Sequence, residues 1–240
     1  MRIKDRISAA GGGFALHYTV AELDAIIARG AELGLPERMV EDLVYVGSRT
    51  KKTISAADLM AQMKNWSADV QQRGFPYRFH DLAQFREFSK ELLARVQQAN
   101  LPIDDVRVQG SSLRSPAAND VDIAVFVDET IFDKLLAERF DGRITRGGTK
   151  LSLAGKSHLE LVQLAADIEA SPGSYNAQGS TFQNAVRTGI INSKSDIVKP
   201  LKQVRAELAA KHPDLNLETI SILLRGGQFE LLPDLPVKSN

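Results

Sequence analysis

Asp120 and Asp122 stand two residues apart at the head of an apolar run, Ile123-Ala-Val-Phe-Val127, and this pattern constrains the chain more than any other. A run this apolar and this short reads as a buried strand. Successive side chains on a strand point to opposite faces. If Val121, Ile123, Val125 and Val127 face a core, both carboxylates face the other way. Two carboxylates on one face repel each other and raise one another's pKa. A divalent cation between them relieves that repulsion, and Mg²⁺ is commonly held by one or two carboxylates together with phosphate oxygens and water. Ten residues upstream of Asp120 is a Gly110-Ser111-Ser112 turn, which follows an alternating segment, Asp105-Val-Arg-Val-Gln109. Glycine lets a backbone approach a phosphate closely. Serine amides and hydroxyls donate to phosphate oxygens.

This order of parts, from Val106 to Val127, resembles the nucleotidyltransferase superfamily with its polymerase-beta-like fold. There a strand ends in Gly-Ser, a short turn follows, and the next strand carries Asp-x-Asp. The resemblance implies a Mg²⁺-dependent enzyme that transfers NMP from an NTP, ATP among the candidates. Asp120 and Asp122 would hold the metal, and Gly110, Ser111, Ser112 and Arg114 would hold the phosphates. The resemblance also implies a third carboxylate on a neighbouring strand, which would share in holding the metal and could act as base for the acceptor hydroxyl. Glu160, in His158-Leu-Glu-Leu-Val162, is the first choice, and Glu230 is the rival. Arg143, Arg146 and Lys150, in a segment expected beside the site, would contact the triphosphate or an acceptor RNA.

The rest of the chain frames that core. With 43% hydrophobic and 25% charged residues in 240, the chain has a globular composition, in one large domain or two small ones. Lys+Arg and Asp+Glu both number 30, so no overall charge draws the chain to nucleic acid, although a local basic surface remains open. There is no cysteine, which excludes disulfides and thiolate zinc sites. No apolar run approaches the length of a membrane span. The four histidines lack metal-ligand spacing, and no Gly-x-Ser-x-Gly elbow supports a serine hydrolase.

The expected fold class is α+β, with a helical N-terminal region packed on a small mixed sheet. Residues 1–18 read as a leader or linker, with Gly11–Gly13 as a flexible stretch. Residues 19–102 read as the helical region, and 103–240 as the core with C-terminal helices and a hairpin. Thr19 with Glu22 forms a capping-box pattern, Ser55 and Asp81 are further N-caps, and Gly34, Pro36, Gly74 and Pro76 are stops. Strands are expected at 105–109 and 120–127, and a helix over 129–139. A strand pair turning at Gly155-Lys156 comes next, followed by a loop over 171–179. Helices are expected near 181–190 and 195–211, and a closing hairpin turns at Gly226-Gly227.

The helical stretch from Thr19 to Lys52 ahead of such a core is similar to the C-terminal modules of bacterial polymorphic and contact-dependent toxins. That likeness implies delivery into a target bacterium as part of a larger protein, with action in its cytoplasm. The acceptor would be an RNA (tRNA among the candidates) or a protein, and a cognate immunity protein would be the partner. Two alternatives carry the same pattern: an enzyme acting on a small molecule such as an antibiotic, and a binding module without chemistry.

Overall fold

A computed structural model describes residues 17–49, 54–99, 103, 105–192 and 199–238. The leader with its three glycines falls almost wholly outside them. Four N-terminal helices come first: α1 (Val20–Glu32), α2 (Glu37–Arg49), α3 (Ala56–Asn65) and α4 (Leu82–Gln98). Their starts follow the local chemistry read from the sequence. The Thr19 hydroxyl accepts from the Glu22 amide while the Glu22 carboxylate accepts from the Thr19 amide. Ser55 and Asp81 cap α3 and α4 through the amides of Asp58 and Gln84. The helix continues past α3 through a π-turn, Trp66–Val70, and stops at Gly74, whose φ of 77° few other residues adopt. Helices α1 and α2 meet closely at Gly30, where an added Cβ would lie 2.4 Å from Val40 Cγ2.

The core is a five-stranded mixed sheet in the order β5 (Ile190–Asn192), β6 (Ile220–Leu224), β2 (Asp122–Val127), β1 (Asp105–Gln109), β7 (Leu235–Pro236). β2 is antiparallel to β1 and parallel to β6. Its two faces have different fates. Ile123, Val125 and Val127 join Val106, Val108, Ile220 and Ile222 in the main core beneath the helices. Each such side chain, fully buried, contributes roughly 1.5–3 kcal/mol, which pins the strand's register. Ala124 and Phe126 face the other way and form a small second cluster with Leu223. The molecule is therefore α+β, with helices stacked mainly on one face of the sheet.

Between β2 and β6 run α5 (Glu129–Phe140), a short hairpin of β3 (Thr145–Arg146) and β4 (Thr149–Lys150), α6 (His158–Ala170) and α7 (Ala177–Thr188). α8 (Lys199–Lys211) follows β5.

Three expectations are corrected here. The strand pair with its turn at Gly155-Lys156 is replaced by the tiny β3–β4 hairpin, which turns at Gly147-Gly148, and by α6. A capping box formed by Ser157 and Glu160 starts that helix, and Leu161, Ala165 and Ile168 bury at helical spacing. Leu159 and Val162, whose apolarity suggested a strand, are 76% and 39% exposed. The loop expected over 171–179 already contains the first turn of α7. The closing hairpin is also absent: β7 pairs with β1 and not with β6. The chain after Gly226-Gly227 instead crosses the sheet's second face to the opposite edge.

Candidate active site

The Gly110 turn and the Asp122 carboxylate are built against each other. Gln109 and Asp122 are paired residues at the ends of β1 and β2, and Gly110 follows with φ 86°. A Cβ at Gly110 would lie 2.0 Å from Asp122 Oδ2. Only glycine allows both that backbone angle and that approach. The turn then tightens into a 3₁₀ segment, Ser111–Leu113, as the Arg114 amide donates to the Ser111 carbonyl. The N-terminal helices hold it from outside. Asn65 Nδ2 donates to the Arg114 carbonyl at 2.9 Å, and the Tyr77 amide donates to the Ser112 carbonyl at 2.9 Å.

Several polar groups are left here without partners. Ser112 Oγ and Arg114 Nε are buried and make no hydrogen bond with any described residue. An unpaired buried polar group costs about 1–3 kcal/mol. Arg114 is only 6% exposed, and burial lowers its guanidinium to a pKa of about 10, which keeps it charged at neutral pH. Asp122 accepts no hydrogen bond from a described residue. Burial, then the negative charge of Asp120, raise its pKa to about 6, with Arg114 opposing and Glu218 adding to the rise. Asp120 and Asp122 therefore sit close enough to repel, on the side of β2 away from the main core.

Gly110, Arg114 and Asp122, but not the fully buried Ser112, line a cleft of about 190 Å³ over the second face of the sheet. Gly110, Arg114 and Asp122 form its polar mouth, while Ala124, Leu223 and Phe229 form its apolar depth. Its far end is sealed. The guanidiniums of Arg107 and Arg225 lie 5.5 and 5.0 Å from the Phe126 ring centre. Asp105, Asp234 and Glu230 pair with those arginines. One wall is the segment 228–233, fastened mainly to α2. Arg38 donates to the Glu230 carbonyl, Asp42 accepts from the Leu232 amide at 3.0 Å, and Gln228 donates to the Tyr45 hydroxyl. Gln109 Nε2 adds a bond to the Leu231 carbonyl from β1.

The structure brings together Gly110, Ser111, Ser112, Arg114, Asp120 and Asp122. Both expected third carboxylates are engaged elsewhere. Glu160 is exposed on the first turn of α6, where its carboxylate accepts from the Ser157 amide and hydroxyl and neighbours Lys156. Those bonds hold its pKa below the ordinary glutamate value. Glu230 accepts from the Gly226 amide and neighbours Arg225 at the sealed end. Besides Asp120, the acid whose charge reaches Asp122 is Glu218, exposed two residues before β6, the parallel neighbour of β2. Sequence reading missed it because β6 was taken for one arm of a hairpin. Arg143 and Arg146 flank and enter β3, and Lys150 ends β4, outside the cleft lining.

A second acidic group, Glu129, Asp133 and His158, has ligand atoms within 4.8 Å of one another. His158 Nδ1 lies 3.0 Å from Asp133, and its Nε2 lies 3.7 Å from Glu129. Glu129 and His158 are the first residues of α5 and α6, so two positive helix ends converge there and oppose a cation. The trio pins α6 to α5 through its own contacts. No helix among the described residues is long and apolar enough to cross a membrane. Comparison with known proteins gives no match to a family model, a curated protein or a solved structure.

Proposed function

We propose that the chain is a Mg²⁺-dependent nucleotidyltransferase that moves NMP from an NTP to a hydroxyl of an RNA or a protein. The observation that carries this reading is the Gly110 backbone pressed against a largely desolvated Asp122 that no donor among the described residues satisfies. Paired carboxylates without donors suit a hard oxygen-seeking cation, so Asp120 and Asp122 would hold Mg²⁺. Bound there, the ion would neutralise phosphate charge and favour the leaving pyrophosphate.

The chain's own residues supply the rest. The Gly110–Ser112 amides would bind phosphate oxygens, and Arg114 would balance their charge in a dry cleft. The acceptor oxygen bonds to the α-phosphorus as the bond to the pyrophosphate oxygen breaks. Glu218 takes the acceptor's proton in this scheme, in place of Glu160. The apolar depth beyond Asp122, floored by Ala124 and Leu223, would take the base.

In this reading the protein acts as an antibacterial toxin inside a target cell and is held silent in its producer by an immunity protein. The support is the likeness of its helical N-terminal stretch to delivered toxin modules. Incubating the protein with Mg²⁺, α-labelled NTPs and a bacterial lysate should label an RNA or protein band. Expression without an immunity protein should arrest growth, and Asp122→Asn should abolish both effects. Label transfer that persists at the wild-type level in a folded Asp122→Asn protein would falsify the assignment.

A further inference from the structure

We infer that residues 226–234 form a strap that lifts as a unit from the second face of the sheet and uncovers the floor of the cleft. Both ends of this segment are fixed. The Arg225 amide donates to the Val127 carbonyl at 3.0 Å, and beyond β7 the Val237 amide donates to the Val106 carbonyl at 2.9 Å. Between those points the chain crosses the sheet with little apolar anchorage. Pro233 is the one buried residue from 225 to 235, while Phe229 and Leu232 are partly buried. Phe229 rests on Ala124, Phe126 and Leu223, a cluster far smaller than the core on the other face. With Leu231, Leu232 and Pro233 it walls the cleft, so lifting the segment exposes Ala124 and Leu223.

What fastens the strap is mostly polar. Arg38, Asp42 and Tyr45 of α2 bond to Glu230, Leu232 and Gln228, Gln109 of β1 bonds to Leu231, and Arg107 pairs with Asp234. Water takes over such bonds when they open, so each holds far less in net terms than its geometry suggests. Segments with few buried apolar contacts and many bonds of this kind open well before the whole molecule unfolds. The strap also keeps a shape of its own. The Glu230 amide donates to the Gly227 carbonyl, and the Glu230 carboxylate accepts from the Gly226 amide and neighbours Arg225. It therefore moves as a piece about Gly226, which has a φ of 75° and open space where a Cβ would stand. On the transferase reading above, this motion admits the base to the apolar depth under Phe229; the motion itself does not need that reading.

The chain has no cysteine, so a single introduced thiol reports on its own position. Ala124 lies under the strap, and its neighbour on β2, Val125, lies in the main core. The test follows labelling of Ala124→Cys and Val125→Cys by a methanethiosulfonate reagent over a range of urea. No NTP or metal is present, so the strap and the transferase reading fail separately. The Ala124→Cys thiol should react at least about a hundred-fold faster than the Val125→Cys thiol, which waits for global unfolding. Its rate should rise only weakly with urea, because a local opening exposes little surface. Adding Arg38→Ala and Gln228→Ala removes two fastenings and should speed Ala124→Cys labelling about ten-fold. In the unsubstituted chain, hydrogen exchange of the Leu232 amide should show the same shallow urea dependence. The proposal is overturned if both thiols react at one rate with one urea slope, or if the Leu232 amide exchanges only with the core. It is equally overturned if loss of the two fastenings leaves Ala124→Cys labelling unchanged, since the reagent then enters by the mouth of a fixed cleft.

Discussion

At the scale of single residues the candidate site holds a carboxylate whose charge costs stability. Asp122 titrates near 6 in the folded protein, against 3.8 for an ordinary aspartate. Between those values the folded state holds the extra proton. The group's contribution to stability therefore falls as pH rises from about 4 to about 6, and it stays lost above that. The full displacement corresponds to roughly 3 kcal/mol. Asp122→Asn, neutral and nearly isosteric, should raise stability at pH 8 by roughly 1–3 kcal/mol and leave it unchanged at pH 4. Urea unfolding at the two pH values measures this; equal effects at both would remove the charge explanation. Gly110→Ala should do the opposite. It forces a left-handed backbone angle on alanine and drives a Cβ into Asp122 Oδ2. The expected cost is about 1–3 kcal/mol in the same assay, together with loss of turnover.

At the scale of elements, the legible parts were those whose signals are local. Caps at Thr19, Ser55 and Asp81, the apolar alternation of β1 and the short apolar run of β2 predict their elements because each signal lies within a few residues. Gly110, Asp120 and Asp122 were legible for the same reason: two adjacent strands and one turn carry them. The approach of Glu218 to that group was not, because its position depends on a pairing across about a hundred residues. Nothing local in Glu218 announces that β6 lies parallel to β2. The α6 segment reads as a strand despite its Ser157–Glu160 capping box, because Leu159 and Leu161 stand at alternate positions, although Leu159 is exposed.

These corrections separate two variants. Glu160→Ala should lower the melting temperature through the lost capping box and leave turnover intact. Glu218→Gln should lower turnover at least ten-fold with little change in melting temperature. The reverse pattern would restore Glu160 as the third acid. The segment 228–233 gives a further case. Asp42 is fully buried and receives the Leu232 amide, so Asp42→Ala leaves an orphan amide in the cleft wall. A loss of about 1–3 kcal/mol with weakened NTP binding is expected, followed by thermal melts with and without nucleotide. Wild-type nucleotide affinity in that variant would mean the wall does not shape the cleft.

At the scale of the whole molecule, the N-terminal helices and the sheet work as one unit. α3 holds the Gly110–Arg114 turn through Asn65, and α2 holds the opposite wall through Arg38, Asp42 and Tyr45. One sheet face carries the core, and the other is left open at the Asp122 end and sealed by Arg107 and Arg225 at the far end. The account stands on the claim that the open end takes a divalent metal together with a nucleoside triphosphate. Electron paramagnetic resonance of Mn²⁺, titrated into the protein with ATP or each other NTP in turn, measures that claim directly. Wild type should bind one or two Mn²⁺ per chain in the presence of its NTP, and Asp122→Asn should bind none tightly. Equal Mn²⁺ binding by the two proteins, or none by wild type with any NTP, would contradict it.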